Sequence, residues 1–140
     1  MNRSALPLLA LGLALGAGAA WGQVVAVVSA SNPAAAMSRN QVMDIFLGRV
    51  NRFPDGSQAL PIDQAEGSAV RDEFYLTFAD KTAAQLKAHW SKIIFTGRGQ
   101  PPRAVSNSSE TKQLLAQNPN AIGYIERSAV DSSVRILLAN

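Results

Sequence analysis

The 140-residue sequence contains no cysteine and only one histidine, His89. Without cysteine the chain has no disulfide framework, no thiolate metal site and no residue to receive the lipid of a bacterial lipoprotein. With a single histidine the sequence shows no serine-based catalytic site, because a serine nucleophile needs a base that a third group orients. The sequence therefore predicts no catalytic site, no metal site and no cofactor, and we do not expect an enzyme.

Charged residues are also sparse, at 16% of the chain, and they are scattered along it. Once Arg3 is set aside with the leader described below, twelve basic residues face ten acidic ones. Nucleic acid requires a concentrated basic face, so it is not expected as a partner. An oxyanion, or a peptidoglycan or protein surface, fits this charge balance better.

Long hydrophobic runs are missing after residue 22, but one lies before it. Arg3 precedes "ALPLLALGLALGAGAAW", and small residues follow up to a cleavage point before Gln23. This is the pattern of a secretory signal peptide, since the apolar stretch is short and glycine-rich for a membrane span; an uncleaved anchor is the alternative. We expect residues 1–22 to be removed and residues 23–140 to form one exported domain, because about 118 residues suffice for a single core.

Strand and helix patterns alternate through the rest of the chain. Strands are predicted in "VVAVVSA", "ALPID", "RAVS", "AIGYIE" and "SVRILL", and helices in "MSRNQVMDIFLGRV", "SAVRDEFYLTF", "AAQLKAHWSKIIF" and "SSETKQLLAQN". Alternation of this kind favours an α/β fold with a mostly parallel sheet and helices on both of its faces.

The first predicted helix has the most complete boundary signals. Ser38 and Gln41 have the spacing of a capping box, and Met37 and Val42 stand at the positions of a hydrophobic staple. Gly48 lies where the helix should end.

The segment "QAEGSAVRDEF" places Gly67 and Ser68 where a strand stops and a helix starts. Free backbone N–H groups at such a corner either belong to an ordinary helix cap or cradle an anion. Glu66, Asp72 and Glu73 crowd the same end of the helix and favour the ordinary cap. From these residues alone both interpretations stay open.

Two further pairs of polar residues lie around a predicted loop or at the end of a predicted strand. Arg98 and Arg103 flank "GQPP", and Ser29 and Ser31 follow the first strand. Both pairs would face the same crevice as the corner if they lay at the carboxyl ends of parallel strands. A solvated loop and local turn hydrogen bonds are the respective alternatives.

Four segments together resemble a known family. "DIFLGRVNRFPDG", "LPIDQAEGSAVRDEF", "HWSKIIFTGRGQPP" and "NPNAIGYIE" occur in the order and nearly the spacing seen in the phosphate-binding proteins of bacterial ABC transporters, and the chain resembles the short secreted members of that family. The resemblance covers most of residues 24–128. It implies one lobe of a type II periplasmic-binding-protein fold, a periplasmic location, and half of a phosphate-binding cleft.

In that family the corner reads Arg, an acidic residue, Gly, Ser, Gly and Thr. The residues at these positions here are, in order, Gln64, Glu66, Gly67, Ser68, Ala69 and Val70. The resemblance thus implies a ligand site at Gly67, Ser68, Ala69 and Val70 from which the arginine and the threonine hydroxyl are lost. Arg71, one turn into the helix, is a candidate to replace the missing cation.

The resemblance implies an exported single-lobe protein that binds phosphate or a similar oxyanion for an ABC transporter or a related periplasmic system. The alternative is a periplasmic protein–protein interaction module that has lost ligand binding. In either case a homodimer or another periplasmic or membrane protein is the expected partner, since a single lobe offers only half a cleft.

Overall fold

The computed structural model describes residues 23–137, so the predicted signal peptide lies outside the described range. Its elements in chain order are β1 (Val24–Ser29), α1 (Arg39–Phe46), β2 (Leu60–Gln64), α2 (Ala69–Ala79), α3 (Ala83–Phe95), β3 (Arg103–Val105), α4 (Ser108–Gln117), β4 (Ala121–Glu126) and β5 (Val134–Ile136), with one 3₁₀ turn at Arg127–Ala129. Every strand and helix predicted from the sequence is present. No helix within the described range is long and apolar enough to cross a membrane.

The five strands form one sheet in the order β3-β2-β4-β1-β5. β2 is parallel to both β3 and β4, whereas β1 is antiparallel to β4 and to β5. Four strands therefore run in one direction and β1 alone runs against them, which confirms a mostly parallel sheet. The carboxyl ends of β2, β3 and β4 meet at one edge, and this edge carries the corner at Gln64.

The reversed direction of β1 changes the position of two candidate residues. Val24 pairs with Glu126 and Ser29 pairs with Val134, so the end of β1 lies at the opposite edge of the sheet from the corner. The suggestion that Ser29 and Ser31 share a crevice with the corner is wrong for this reason. Their hydroxyl oxygens lie 2.9 Å apart and the Ser31 N–H donates to Ser29 Oγ, which is the turn bonding given as the alternative.

Helices cover both faces of the sheet, as predicted. Three helices pack on one face in a core that includes Val42, Ile45, Phe46, Phe74, Phe78, Leu86, Trp90 and the strand residues Ala26 and Tyr124. α4 covers the other face with Leu115, which packs with Val25, Val27, Ile62 and Ile125. Successive residues of β1 alternate between the two cores, which explains why the strand is apolar at nearly every position.

The boundary signals of α1 form as the sequence indicates. Ser38 Oγ accepts the Gln41 N–H at 3.1 Å, and Gln41 Oε1 accepts the Ser38 N–H at 2.9 Å, which completes the capping box. Met37 and Val42 are both buried in the larger core. The helix ends before Gly48, whose φ of +81° is in the left-handed region that favours glycine.

Gly48 is also in close contact with α3, and we expect Gly48→Ala to lower the free energy of unfolding by about 2–4 kcal/mol. A Cβ at this position would lie 2.9 Å from Cη2 of Trp90, so steric overlap adds to the conformational strain. Gly56→Ala is the matched control, because Gly56 has a similar φ of +92° but nothing within 4 Å of a Cβ. Urea denaturation of the two variants should show the larger loss for Gly48→Ala; equal losses would contradict the contact with Trp90.

Candidate functional site

The corner joins β2 to α2 by a tight turn. After Gln64 the chain reverses so that the Ser68 N–H donates to the carbonyl of Ala65 at 3.0 Å. Gly67 has a φ of +94°, and open space surrounds the position of a Cβ. Ser68 is the N-cap of α2, with its Oγ accepting the Arg71 N–H at 3.2 Å. The ordinary helix cap is therefore present at this corner.

The five residues expected to bind a ligand lie together at the start of α2. Gly67 and Ala69 are exposed, and Ser68, Val70 and Arg71 are half-buried. Ala69 and Val70 occupy the first two helical positions, where backbone N–H groups have no acceptor inside the helix. The N-terminus of an α-helix also carries a partial positive charge that favours an anion. Ligand binding by these residues stays a prediction.

The Ser68 hydroxyl and Gln64 are connected inside the protein. Besides capping α2, Ser68 donates its hydroxyl proton to Gln64 Oε1 at 3.1 Å. Gln64 is 2% exposed and donates its Nε2 to Ser108 Oγ and to the Tyr124 carbonyl, both at 3.3 Å. At the position where the resemblance implies an arginine, the chain thus has a neutral side chain that links β2 to α2, α4 and β4.

A buried carboxylate, Asp63, lies directly beneath the corner. The Tyr75 hydroxyl donates to its Oδ2 at 2.8 Å, and the Tyr124 hydroxyl and the Gln64 N–H donate to Oδ1. We call Asp63, Tyr75, Tyr124 and Arg71 the Asp63 network. Burial raises the pKa of Asp63, while the two tyrosine hydroxyls and Arg71 oppose this effect. Burial and the adjacent carboxyl group raise the pKa of both tyrosines, so their hydroxyls stay protonated and donate.

Arg71 is the cationic member of this network and faces Asp63. Its Nε lies 3.6 Å from Asp63 Oδ1, and only 16% of its side chain is exposed. The guanidinium also lies 5.8 Å from the centre of the Tyr75 ring. The charge proposed to replace the missing arginine is therefore already shared with an internal carboxylate.

Sequence reasoning did not identify Asp63, Tyr75 or Tyr124 as members of a site. Asp63 stands in the strand "LPIDQ" and Tyr124 in "AIGYIE", where both residues read as ordinary strand positions. The one available signal is an acidic residue at the end of a predicted strand: acidic residues are almost never fully buried unless they are paired, so a buried Asp63 would require partners.

The two arginines near "GQPP" do not come together at the corner. Arg98 lines a groove beside His89 and Trp90, whereas Arg103 borders a different groove next to Ala65. Both arginines are exposed; Arg98 lies in a solvated loop, and Arg103 is the first residue of β3.

His89 has a structural contact. Its Nε2 lies 2.9 Å from the carbonyl oxygen of Leu47 and so ties α3 to the end of α1. Between residues 23 and 137 there is no group of three or more histidine, cysteine or acidic residues that could hold a metal ion.

No family model matches the chain, and no curated protein matches it in sequence. Solved structures do match it. One is described as a phosphate ABC transporter substrate-binding protein with bound phosphate from Clostridium perfringens, with a TM-score of 0.65 and 24% identity over 82% of this chain and 44% of that one. An ABC-type phosphate transport receptor from Vibrio cholerae matches with a TM-score of 0.63 and 20% identity, over 82% of this chain and 45% of that one. PstS from Borrelia burgdorferi matches with a TM-score of 0.61 and 14% identity, over 84% of this chain and 47% of that one.

These identities lie below 25%, so the likeness establishes the fold alone. The chain covers less than half the length of each of these structures, and 82% to 84% of this chain is matched. The described chain is therefore a mixed α/β domain with the fold of one lobe of a periplasmic-binding-type protein.

Proposed function

We propose that this chain is an exported, non-enzymatic, single-lobe relative of the phosphate-binding proteins and that it binds phosphate or a similar oxyanion at Gly67–Val70. One observation carries the proposal: the N-terminus of the 11-residue helix α2 opens to solvent at the carboxyl edge of the sheet. The similar protein from Clostridium perfringens was solved with bound phosphate. Helix N-termini at this edge of an α/β sheet are common anion sites.

The contacts available to an anion are few. The Ala69 and Val70 N–H groups are the direct donors, because the Ser68 hydroxyl already bonds to Gln64 and Arg71 already faces Asp63. Two charge-assisted hydrogen bonds contribute about 3–6 kcal/mol, which corresponds to dissociation constants from about millimolar to tens of micromolar. Weak binding follows unless a second surface closes over the ion.

A second surface is part of the proposal, since the chain spans only 44% to 47% of the solved structures that it matches. We propose that a second copy of the chain, or a periplasmic or membrane protein such as an ABC transporter component, covers the open side of the corner. The ion would then be enclosed by donors from both partners.

Ala69→Pro is the sharpest test of the corner. Proline removes the Ala69 N–H, yet it is favoured at the first position of a helix and tolerates the extended backbone of Ser68, with φ −68° and ψ 129°. We expect phosphate at about ten times its dissociation constant to stabilise the wild-type protein by about 1.4 kcal/mol, or several degrees in a thermal-shift assay. Ala69→Pro should lose most of this shift.

Ala83→Pro is the matched control for this experiment, because Ala83 is the first residue of α3 and follows the extended N-cap Thr82. It should retain the shift with phosphate. Chloride and sulfate at the same ionic strength measure selectivity. Ser68→Ala is less informative, since it removes the helix cap together with the hydroxyl. Equal shifts in wild-type and Ala69→Pro protein would contradict binding at the corner.

A second candidate function has its own supporting observation. The Ser68 hydroxyl, the Gln64 amide and the Arg71 guanidinium are all turned to partners inside the protein. This arrangement favours a periplasmic interaction module that has kept the lobe without its ligand. The absence of any anion-dependent shift in the wild-type protein would support this second function.

A further inference from the structure

The region around α3 has charges of one sign. Residues 81–109 contain no aspartate or glutamate, and they include five basic residues, Lys81, Lys87, Lys92, Arg98 and Arg103. All ten acidic residues of the chain lie elsewhere in the sequence. Only Leu86 and Trp90 are buried in α3, so most of this helix faces solvent. An exposed helix in a segment without acidic residues presents a basic surface.

Three cations border one groove of about 620 Å³ beside α3. Arg49 follows α1, Lys92 belongs to α3, and Arg98 lies in the loop after α3. No acidic side chain is among the described residues that line this groove. Arg49 contacts Asp44 at 3.3 Å in an exposed pair, which is weak, and within residues 23–137 Lys92 and Arg98 form no ion pair. A negatively charged partner would therefore offset the repulsion among these cations.

A large apolar side chain lies next to these cations. Phe95, the last residue of α3, is 92% exposed, and Lys92 is its neighbour on the helix surface, three positions earlier. The adjacent Ile94 is 54% exposed. Aromatic and aliphatic side chains beside lysine and arginine are typical of helices that lie at a membrane interface. We call Arg49, Lys92, Phe95 and Arg98 the α3 surface.

We propose that the α3 surface binds a membrane that contains anionic lipids. Phe95 enters the boundary between headgroups and acyl chains, and the three cations contact lipid phosphates. A bilayer accepts a protruding ring without a matching pocket, whereas a protein partner must provide a complementary surface. The α3 surface includes no residue of Gly67–Val70, so this inference does not depend on the proposed oxyanion site. It would hold an exported chain at the membrane.

Co-sedimentation with lipid vesicles tests the proposal. Protein recovered after export is used, because residues 1–22 include an apolar run that could itself bind lipid. We expect vesicles of phosphatidylglycerol and phosphatidylcholine to bind the protein at least about tenfold more tightly than phosphatidylcholine alone, since each cation near an anionic surface contributes about fivefold. Salt at about 0.5 M should remove most of this binding, because it screens the charges.

Two substitutions on the α3 surface separate its apolar and its charged part. Phe95→Ser should weaken binding to the anionic vesicles about tenfold, through loss of the inserted ring. Arg98→Gln should weaken it about fivefold. Phe95→Trp provides a direct reading of insertion, since its fluorescence should shift to shorter wavelength when anionic vesicles are added.

Matched controls lie elsewhere on the surface. Leu76 is 55% exposed on α2, and Arg103 borders a different groove with Glu110. Leu76→Ser and Arg103→Gln should each change the affinity for vesicles by less than about twofold. Ala69→Pro should bind vesicles as the wild type does, which separates the α3 surface from the corner.

Three results would overturn the proposal. The first is equal binding to the two kinds of vesicle, and the second is a Phe95→Ser variant that binds as the wild type does. The third is loss of binding in Ala69→Pro, which would assign the lipid phosphate to the corner. If no vesicle binds, the membrane contact is wrong, and the charge of the α3 surface points to an acidic protein instead.

Discussion

Replacing Asp63 by alanine is expected to lower the free energy of unfolding by about 3–5 kcal/mol. The substitution removes the carboxylate that faces the half-buried guanidinium of Arg71 at 3.6 Å. It also removes the acceptor of the Tyr75 and Tyr124 hydroxyls, which are buried and stay protonated. Urea denaturation near neutral pH measures the loss.

Asp72→Ala is the control for this substitution, because Asp72 is an exposed carboxylate in the first turn of the same helix. It should lower the stability by about 0.3–1 kcal/mol, through its interaction with the helix dipole. A loss for Asp63→Ala no larger than that for Asp72→Ala would show that the Asp63 network does not hold the corner together.

The decrease in the free energy of unfolding caused by Asp63→Ala should depend on pH, in a direction that follows from the burial of Asp63. Because burial raises the pKa of Asp63 above its ordinary value of 3.8, the folded state binds the proton more tightly than the unfolded state does. The contribution of this group to stability is then fully present below its unfolded pKa and is lost as the pH rises through the folded pKa. The loss from Asp63→Ala should accordingly be larger at about pH 4 than at about pH 8. The opposite trend would mean that the tyrosines and Arg71 outweigh burial.

Phe74→Ala is the second large effect, and we expect it to lower the free energy of unfolding by about 3–5 kcal/mol. Phe74 is fully buried, and its ring stacks on Tyr124 with centroids 3.9 Å apart. It also contacts the rings of Phe46, Tyr75 and Phe78 at 5.0, 5.2 and 4.6 Å. Truncation therefore opens a cavity at the centre of the larger core and removes several aromatic contacts.

The same chemical change can be made on the surface, because Phe95 at the end of α3 is 92% exposed. Phe95→Ala should change the stability by no more than about 0.5 kcal/mol. Chemical denaturation of the two alanine variants compares a buried and an exposed phenylalanine in one protein. Similar stabilities would contradict the packing of Phe74 beneath α1 and against the sheet.

The elements of this fold could be predicted from the sequence where their signals are local. The capping box of α1 involves Ser38 and Gln41, three residues apart, and the apolar strand β4 is bounded by turn residues. The direction of β1 could not be predicted, because an apolar run carries no information about which way its strand points. The error in placing Ser29 and Ser31 follows from that missing information.

The corner illustrates the same division. The turn at Gly67 and the cap at Ser68 depend on neighbouring residues, and the sequence indicated both. Asp63 and Tyr124 are 61 positions apart, so only the assembled sheet brings the acid and its donor together. The engagement of Arg71 by Asp63 follows from the same assembly and has no local sequence signal.

The position of β1 also bears on the order in which the chain folds. Within residues 23–137 this strand comes before the other four, yet its two neighbours in the sheet, β4 and β5, lie within residues 121–136. Its pairings therefore have large sequence separations, which slow folding. Until the last strands are available, Val24–Ser29 remains an unpaired, uncharged segment rich in β-branched residues. Segments of this composition readily aggregate, so β1 is exposed to aggregation in the nascent chain until residues 121–136 have been synthesised.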